Sequence, residues 1–116
     1  MLFRSYSQVK LTAAPQAPAQ IYSVPLPGKA GEVYECGVVV SGGSGSIGVG
    51  YYDAETRYCR GGDEVKFPAG EGRRTVRLPL RDIPGQNPTA CFRLNLTAAP
   101  GQTVVFSRLT LRRVVP

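Results

Sequence analysis

The sequence predicts an all-β fold in which two antiparallel sheets face each other. Three observations lead there. Apolar residues recur with period two in short stretches; 14 Gly and 10 Pro are spread through the 116 residues as punctuation between those stretches; and no segment longer than about 12 residues carries the 3.6-residue apolar period of an amphipathic helix. Without crossover helices a parallel sheet is disfavoured, so the strands pair antiparallel and each sheet buries one face against the other. The length and a hydrophobic content of 42% allow one core and leave no room for a second.

Residues 1 to 12 alternate loosely, with Phe3, Ser5, Ser7, Val9 and Leu11 on one parity, and read as an extended segment. Thr12 to Gln20 contains Pro15 and Pro18, which hold the chain extended and prevent a helix despite the alanines, so residues 1–20 are expected to form an N-terminal arm and stiff linker. Ile21 to Leu26 is a short strand ended by Pro25, Pro27 and Gly28, and opens a sandwich domain spanning 21–116.

From Glu32 to Ser41, Tyr34, Cys36, Val38 and Val40 share one face, the pattern of a core strand. Gly42-Gly43-Ser44-Gly45 is expected to turn the chain as a hairpin into a strand with Ile47, Val49 and Tyr51 inward, and Gly48, Gly50 and Tyr52 on the opposite face. Arg57 to Cys59 and Glu64 to Phe67 are short strand candidates, and Thr75 to Leu80 places Val76, Leu78 and Leu80 inward. Ala90, Phe92, Leu94 and Leu96 alternate against Cys91, Arg93, Asn95 and Thr97, the cleanest half-buried strand of the chain. In Thr103 to Val115 the apolar phase shifts from Val104 and Phe106 to Leu109 and Leu111, which calls for a β-bulge near Ser107 or burial on both faces. The sum is about eight strands.

Composition narrows the chemistry. Histidine is absent, which removes the commonest general base at neutral pH, imidazole-activated nucleophiles and His-ligated zinc. Cys36, Cys59 and Cys91 are odd in number and more than twenty residues apart. They match no zinc knuckle and no closed disulfide framework, and are expected to be small buried fillers in a reducing, intracellular setting. No apolar stretch suits a membrane span or a signal peptide. The net charge is +6, and eleven of the fourteen cations are Arg, so an acidic partner surface is expected. Nucleic acid is not, because only the pairs Arg73-Arg74 and Arg112-Arg113 cluster.

The run of Glu32-Val-Tyr34, Ile47-Gly-Val-Gly-Tyr51-Tyr52-Asp53, Thr75-Val-Arg-Leu78, Phe92-Arg-Leu-Asn-Leu96 and Gly101-Gln-Thr-Val-Val-Phe106-Ser-Arg-Leu109-Thr-Leu111 resembles the galactose-binding-like jelly rolls of carbohydrate-binding modules. The resemblance spans about residues 21 to 115 and implies a jelly-roll β-sandwich. The same architecture resembles that of the decoration, or cement, proteins of tailed bacteriophages, which implies a non-enzymatic adhesion role. In that reading the arm adds a strand and the anchors Phe3, Tyr6, Val9 and Leu11 to a neighbouring subunit, while Arg4, Arg73, Arg74, Arg112 and Arg113 meet acidic patches. The implied partner is a major capsid protein or another large assembly, with the chain itself a homo-oligomer on the virion surface, assembled in host cytoplasm. The alternative is a carbohydrate-binding module. It would have to work without Trp, and Tyr52, Tyr58 and Asp53 are its candidate ligand residues, two rings for stacking and an acid to accept hydroxyl hydrogens.

Four further patterns carry less. Gly43 to Gly48 matches G-x-G-x-x-G, but a strand follows it where dinucleotide binding needs a helix. Asp53, Glu55, Asp63 and Glu64 lack calcium-loop spacing and are expected to pair with Arg57 and Arg60, so neither metal nor cofactor is expected. Asn95-Leu96-Thr97 lies inside a predicted strand and is discounted as a glycosylation acceptor. Leu11-Thr-Ala-Ala-Pro15 recurs at Leu96 to Pro100, too short to make a structural repeat.

Overall fold

The computed structural model describes residues 8–59 and 62–114. Phe3, Arg4, Tyr6 and Arg60, all singled out in the sequence, lie outside the described residues. Within them the chain forms nine strands and no helix: β1 (Gln8–Thr12), β2 (Ala19–Tyr22), β3 (Leu26–Pro27), β4 (Val33–Gly42), β5 (Gly45–Tyr52), β6 (Glu64–Phe67), β7 (Gly72–Pro79), β8 (Cys91–Ala98) and β9 (Thr103–Val114). One sheet has the order β1-β9-β4-β7. The other runs β2-β8-β5-β6, with β3 following β2 along the same side of β8. Every pairing is antiparallel, and the two sheets pack as a jelly-roll sandwich.

The core lies where period-two alternation placed it. From the four-stranded sheet come Cys36, Val38, Val40, Val76, Leu78, Val104 and Phe106; from the other come Ile47, Val49, Tyr51, Phe92, Leu94 and Leu96. Phe67 meets Phe106 edge-on across the gap, with ring centroids 6.0 Å apart. Tyr51 is fully buried but keeps its hydroxyl satisfied by donating to the Pro79 carbonyl at 3.0 Å. Cys36 and Cys59 are buried and Cys91 partly so, all as free thiols, and burial pushes the Cys36 thiol up to about 12.

The phase shift in β9 is a bulge. Gly37 pairs with Thr110 and Val39 with Ser107, so Arg108 and Leu109 oppose the single residue Val38. Arg108 takes up the irregularity with φ +53°. This lets Val104 and Phe106 face the core while Leu109 and Leu111 still pack against it further along.

Three local expectations are corrected. Gly42 to Gly45 is not a hairpin, because β4 is already paired on both edges, by β7 and β9, and β5 has no place beside it. The glycines instead carry the chain from one sheet to the other, with Gly42 at φ +97° and Gly43 N–H donating to the Thr103 carbonyl at 2.8 Å. Arg57 to Cys59 forms no strand, only an isolated bridge between Tyr58 and Tyr52. The largest change concerns the leader. Gln8–Thr12 pairs along its whole length with β9 of its own sandwich, Val9 opposite Phe106 and Leu11 opposite Val104. Leu11 packs on the core and Ala13 is buried in it, so the leader is held by its own sandwich, with Leu11 engaged there. The reason is that β9 would otherwise leave a long unpaired edge, which a segment with apolar alternation on the same chain covers at low entropic cost.

The proline-stiffened linker is thus the crossing from β1 to β2, closed by Gly101 N–H donating to the Ala14 carbonyl at 2.8 Å. The repeated Leu-Thr-Ala-Ala-Pro makes this crossing and its mirror, from β8 to β9, at the same end of the sandwich.

Removing residues 1–12 is expected to lower the thermal unfolding midpoint and to promote self-association through the exposed edge of β9. Calorimetry with light scattering checks this; an unchanged midpoint in a monomeric truncation would show that β1 contributes nothing.

Candidate functional site

The outer face of the five-stranded sheet carries a polar groove whose floor follows from strand register. Since Phe92, Leu94 and Leu96 of β8 point inward, Arg93, Asn95 and Thr97 point out. Each has a defined partner on β5: Arg93 opposite Gly50, Asn95 opposite Gly48, Thr97 opposite Ser46. On the other side β2 sets Gln20 against Thr97 and Tyr22 against Asn95, and β6 sets Glu64 against Gly48. Because β5 presents glycines at the two middle positions of this row, the floor lies low between taller neighbours.

The Gly48 surface is covered by backbone, since a Cβ there would come within 2.8 Å of the Asp63 carbonyl oxygen. Gly50 is different. A Cβ there would meet only the edges of Tyr52 and Tyr58, at 3.5 to 3.8 Å, so its missing side chain leaves space beneath two rings.

At this end Gln20, Tyr22, Gly50, Tyr52, Tyr58, Arg93 and Asn95 enclose a depression of about 480 Å³. It runs into a second of about 430 Å³ that shares Gln20, Tyr58 and Asn95 and adds Asp63, Glu64 and Thr97. A third, of about 380 Å³, continues past Ser46 and Lys66 towards Pro100. Together they follow β5 from Tyr52 to Ser46 and beyond, roughly 20 Å at about 3.3 Å per residue.

The walls are aromatic and hydrogen-bonding. Tyr52 and Tyr58 have centroids 5.5 Å apart at 49°, and Tyr58 is 60% exposed, so its face is open to a ligand. The Arg93 guanidinium carbon lies 5.3 Å from the Tyr52 ring centroid, a cation–π contact. Burial pushes the Tyr52 phenol up, and the charge of Arg93 draws it partly back. Tyr22 donates to Gln20 Oε1 at 2.6 Å, and Gln20 Nε2 in turn donates to Thr97 Oγ1 at 3.3 Å. Two polar atoms of the floor, Arg93 Nε and Asn95 Oδ1, are shielded from solvent with no hydrogen-bond partner. Both belong to half-buried side chains that line the depression, so a ligand reaches either atom only once its side chain shifts.

Of the three tyrosine-and-acid candidates, Tyr52 and Tyr58 are brought together in this groove and Asp53 is not. The Asp53 side chain is buried, its carboxylate accepting from the backbone N–H of Glu55 and Arg57, each at 2.9 Å, and from Asn87 Nδ2 at 3.1 Å. These hydrogen bonds, the Arg57 N–H foremost, hold its carboxyl below the usual range. Asp53 ties down the loop that delivers Tyr58, whose strained residue is Thr56 at φ +63°. It is a positioning residue, buried beneath the loop and with most of its acceptor capacity taken.

The other acids are likewise occupied. Glu55 pairs with Arg57 at 2.7 Å, Asp63 with Arg81 at 2.9 Å, and Glu64 accepts from Ser46 Oγ at 3.0 Å. Among the described residues no group of three or more His, Cys, Asp or Glu is placed to hold a metal ion.

Of the basic adhesion residues, Arg4 lies outside the described residues, and Arg73 and Arg112 fall on the outer face of the four-stranded sheet. Arg112 binds Glu35 at 2.9 Å and Arg113 binds Glu32 at 3.1 Å, so both are engaged within the chain. Arg73 and Arg74 sit on β7 opposite Val39 and Val38, four and three residues along β4 from Glu35, and have no ion pair among the described residues.

The residues that sequence reasoning missed are Gln20, Tyr22, Arg93 and Asn95. Arg93 and Asn95 were visible as the polar parity of the cleanest strand, whereas Gln20 and Tyr22 were hidden in the segment read as linker and edge.

No protein-family model matches the sequence, and no curated protein matches it. Among solved structures, the chain is similar to the enzymatically active domain of tailspike protein 4 of bacteriophage CBA120, with TM-score 0.65 at 11% identity over 90% of this chain. It spans only 15% of that tailspike domain. A family 16 carbohydrate-binding module aligns with TM-score 0.55 at 18% identity, covering 89% of this chain and 74% of that one. The CBM22-1 and GH10 modules of a Clostridium thermocellum endo-1,4-β-D-xylanase, complexed with xylohexaose, align with TM-score 0.50 at 12% identity, covering 94% of this chain and 25% of that one. At these identities the likeness is one of fold, and the fold is the jelly roll of carbohydrate-binding modules.

Asp53→Asn is expected to destabilise the fold at neutral pH and to flatten its acid limb. The reasoning is one of sign: a carboxyl whose folded pKa is depressed contributes stability above its unfolded value of about 3.9, and that contribution is lost as pH falls through the lower folded value. Denaturant midpoints of the two proteins, measured down the acid range, should converge only below the ordinary carboxylate range; parallel curves would remove Asp53 from this role.

Proposed function

We propose that this chain is a non-catalytic glycan-binding module that seats an extended oligosaccharide in the groove between Tyr52, Tyr58 and Tyr22. The observation that carries the reading is the combination, on one sheet face, of stacking rings over a glycine floor with two shielded polar atoms that lack partners, Arg93 Nε and Asn95 Oδ1. Aromatic faces suit the apolar faces of pyranose rings, and the amide, guanidinium and hydroxyl groups between them suit sugar hydroxyls. The structural neighbours, a family 16 carbohydrate-binding module and CBM22-1–GH10 modules complexed with xylohexaose among them, point in the same direction.

Capsid decoration, the expectation from the arm, has less in its favour. Its anchors Val9 and Leu11 belong to β1, and two of its arginines are engaged by Glu35 and Glu32. A virion surface is a fitting place for a glycan-binding jelly roll, while the likeness to a phage tailspike domain is one of fold.

A glycan array followed by calorimetric titration tests the reading. Saturable binding is expected, falling by about tenfold or more in Tyr52→Ala and in Tyr58→Ala, and blocked in Gly50→Val, where a branched side chain fills the floor. A blank array, or binding indifferent to all three variants, sinks the proposal.

A further inference from the structure

The chemistry at the Tyr52 end of the groove is more specific than sugar binding in general. Arg93 projects from the middle of β8, and the position opposite it on β5 is Gly50, which offers no side chain to cover or neutralise it. None of the ion pairs among the described residues includes Arg93. Its head is held against the Tyr52 ring and its Nε is cut off from water without a partner. An arginine so placed keeps its full charge and has lost part of its hydration, so an anion offered to it meets a stronger field than at an open surface.

Asn95 follows two residues along the same face, about 6.6 Å away along the strand, and its Oδ1 is a shielded acceptor. One ligand that satisfies both atoms carries an anionic group to accept from Arg93 and a hydroxyl to donate to Asn95. Asp63 and Glu64 line the adjoining depression, Asp63 bound to Arg81 and Glu64 accepting from Ser46, so the seat for an anion is confined to the Tyr52 end. The net charge of +6 favours an acidic polymer over a neutral one.

Resting on the glycan-binding reading above, we infer that the groove selects acidic glycans, with the carboxylate or sulfate of one sugar seated on Arg93 and a hydroxyl of that sugar donating to Asn95.

The test compares matched charged and uncharged probes: oligogalacturonate against its methyl ester, and a sulfated galactan oligosaccharide against its desulfated form, beside an array of neutral, sialylated and sulfated glycans. Binding is expected to favour acidic members by about tenfold or more and to weaken as NaCl is raised. The carboxylate and sulfate arms identify which anion is read.

Arg93→Met, which keeps an apolar stem against Tyr52, should weaken the acidic member of each matched pair far more than the neutral one and so close the gap of about tenfold between them. Arg93→Lys should retain part of it. If Arg93→Met fails to fold, the lysine variant and the salt dependence still decide. Neutral glycans binding as well as acidic ones, through Tyr52 and without regard to Arg93, overturns this inference and leaves the glycan reading standing. Failure of every glycan to bind removes both.

Discussion

The antiparallel pairing of β5 with β8 is the constraint on which both the core and the groove depend. Eight residues of each strand are matched in register, from Gly45 opposite Ala98 to Tyr52 opposite Cys91. One parity of that ladder supplies Ile47, Val49, Tyr51, Phe92, Leu94 and Leu96 to the interior, at no more than 2% exposure each. The other parity becomes the groove floor. A slip of one residue would exchange the two sets, placing Arg93 and Asn95 in the core and three large apolar side chains in water, a cost far above the stability of a small domain. The site is therefore held in place by the same hydrophobic burial that folds the protein.

The groove has a depth because β5 is asymmetric. Its inner face is bulky and its outer face carries Gly48 and Gly50. These glycines serve different ends. Gly48 admits the backbone of Asp63, which pins the segment leading into β6, and Gly50 leaves the space that Tyr52 and Tyr58 overhang. Tyr58 reaches that place through the loop after β5, where the Asp53 carboxylate gathers two backbone N–H groups and the Asn87 amide. A buried acid bonded to its own loop and to Asn87 rigidifies a ring that is itself exposed, which lowers the entropy a ligand must remove on stacking.

Much of the fold could be read from residue order. The inward faces of β4, β5, β7 and β8 follow from alternation, and the bulge in β9 follows from the broken phase between Phe106 and Leu109. The leader misled for a physical reason. Val9 and Leu11 alternate weakly, and a weakly apolar segment fits equally well on its own sheet or on a neighbour's; the unpaired edge of β9, which decides between them, exists only once β4 has taken the other edge. The glycine run after β4 likewise permits a hairpin or a crossing, and pairing of β4 on both sides leaves only the crossing.

What the chain's order of residues determined by itself was the class of fold, the members of the core, the absence of histidine chemistry and two of the groove tyrosines, because these rest on composition and on a two-residue period local to each strand. What only the tertiary structure decided was which strands are neighbours. Gln20 and Tyr22 meet Thr97 and Asn95 across more than seventy residues of sequence, Arg93 finds Gly50 opposite and has no ion pair among the described residues, and Asp53 turns out to be engaged by its own loop and by Asn87. Long-range pairing is selected by the joint burial of every strand at once, so it leaves no mark in any one stretch of sequence.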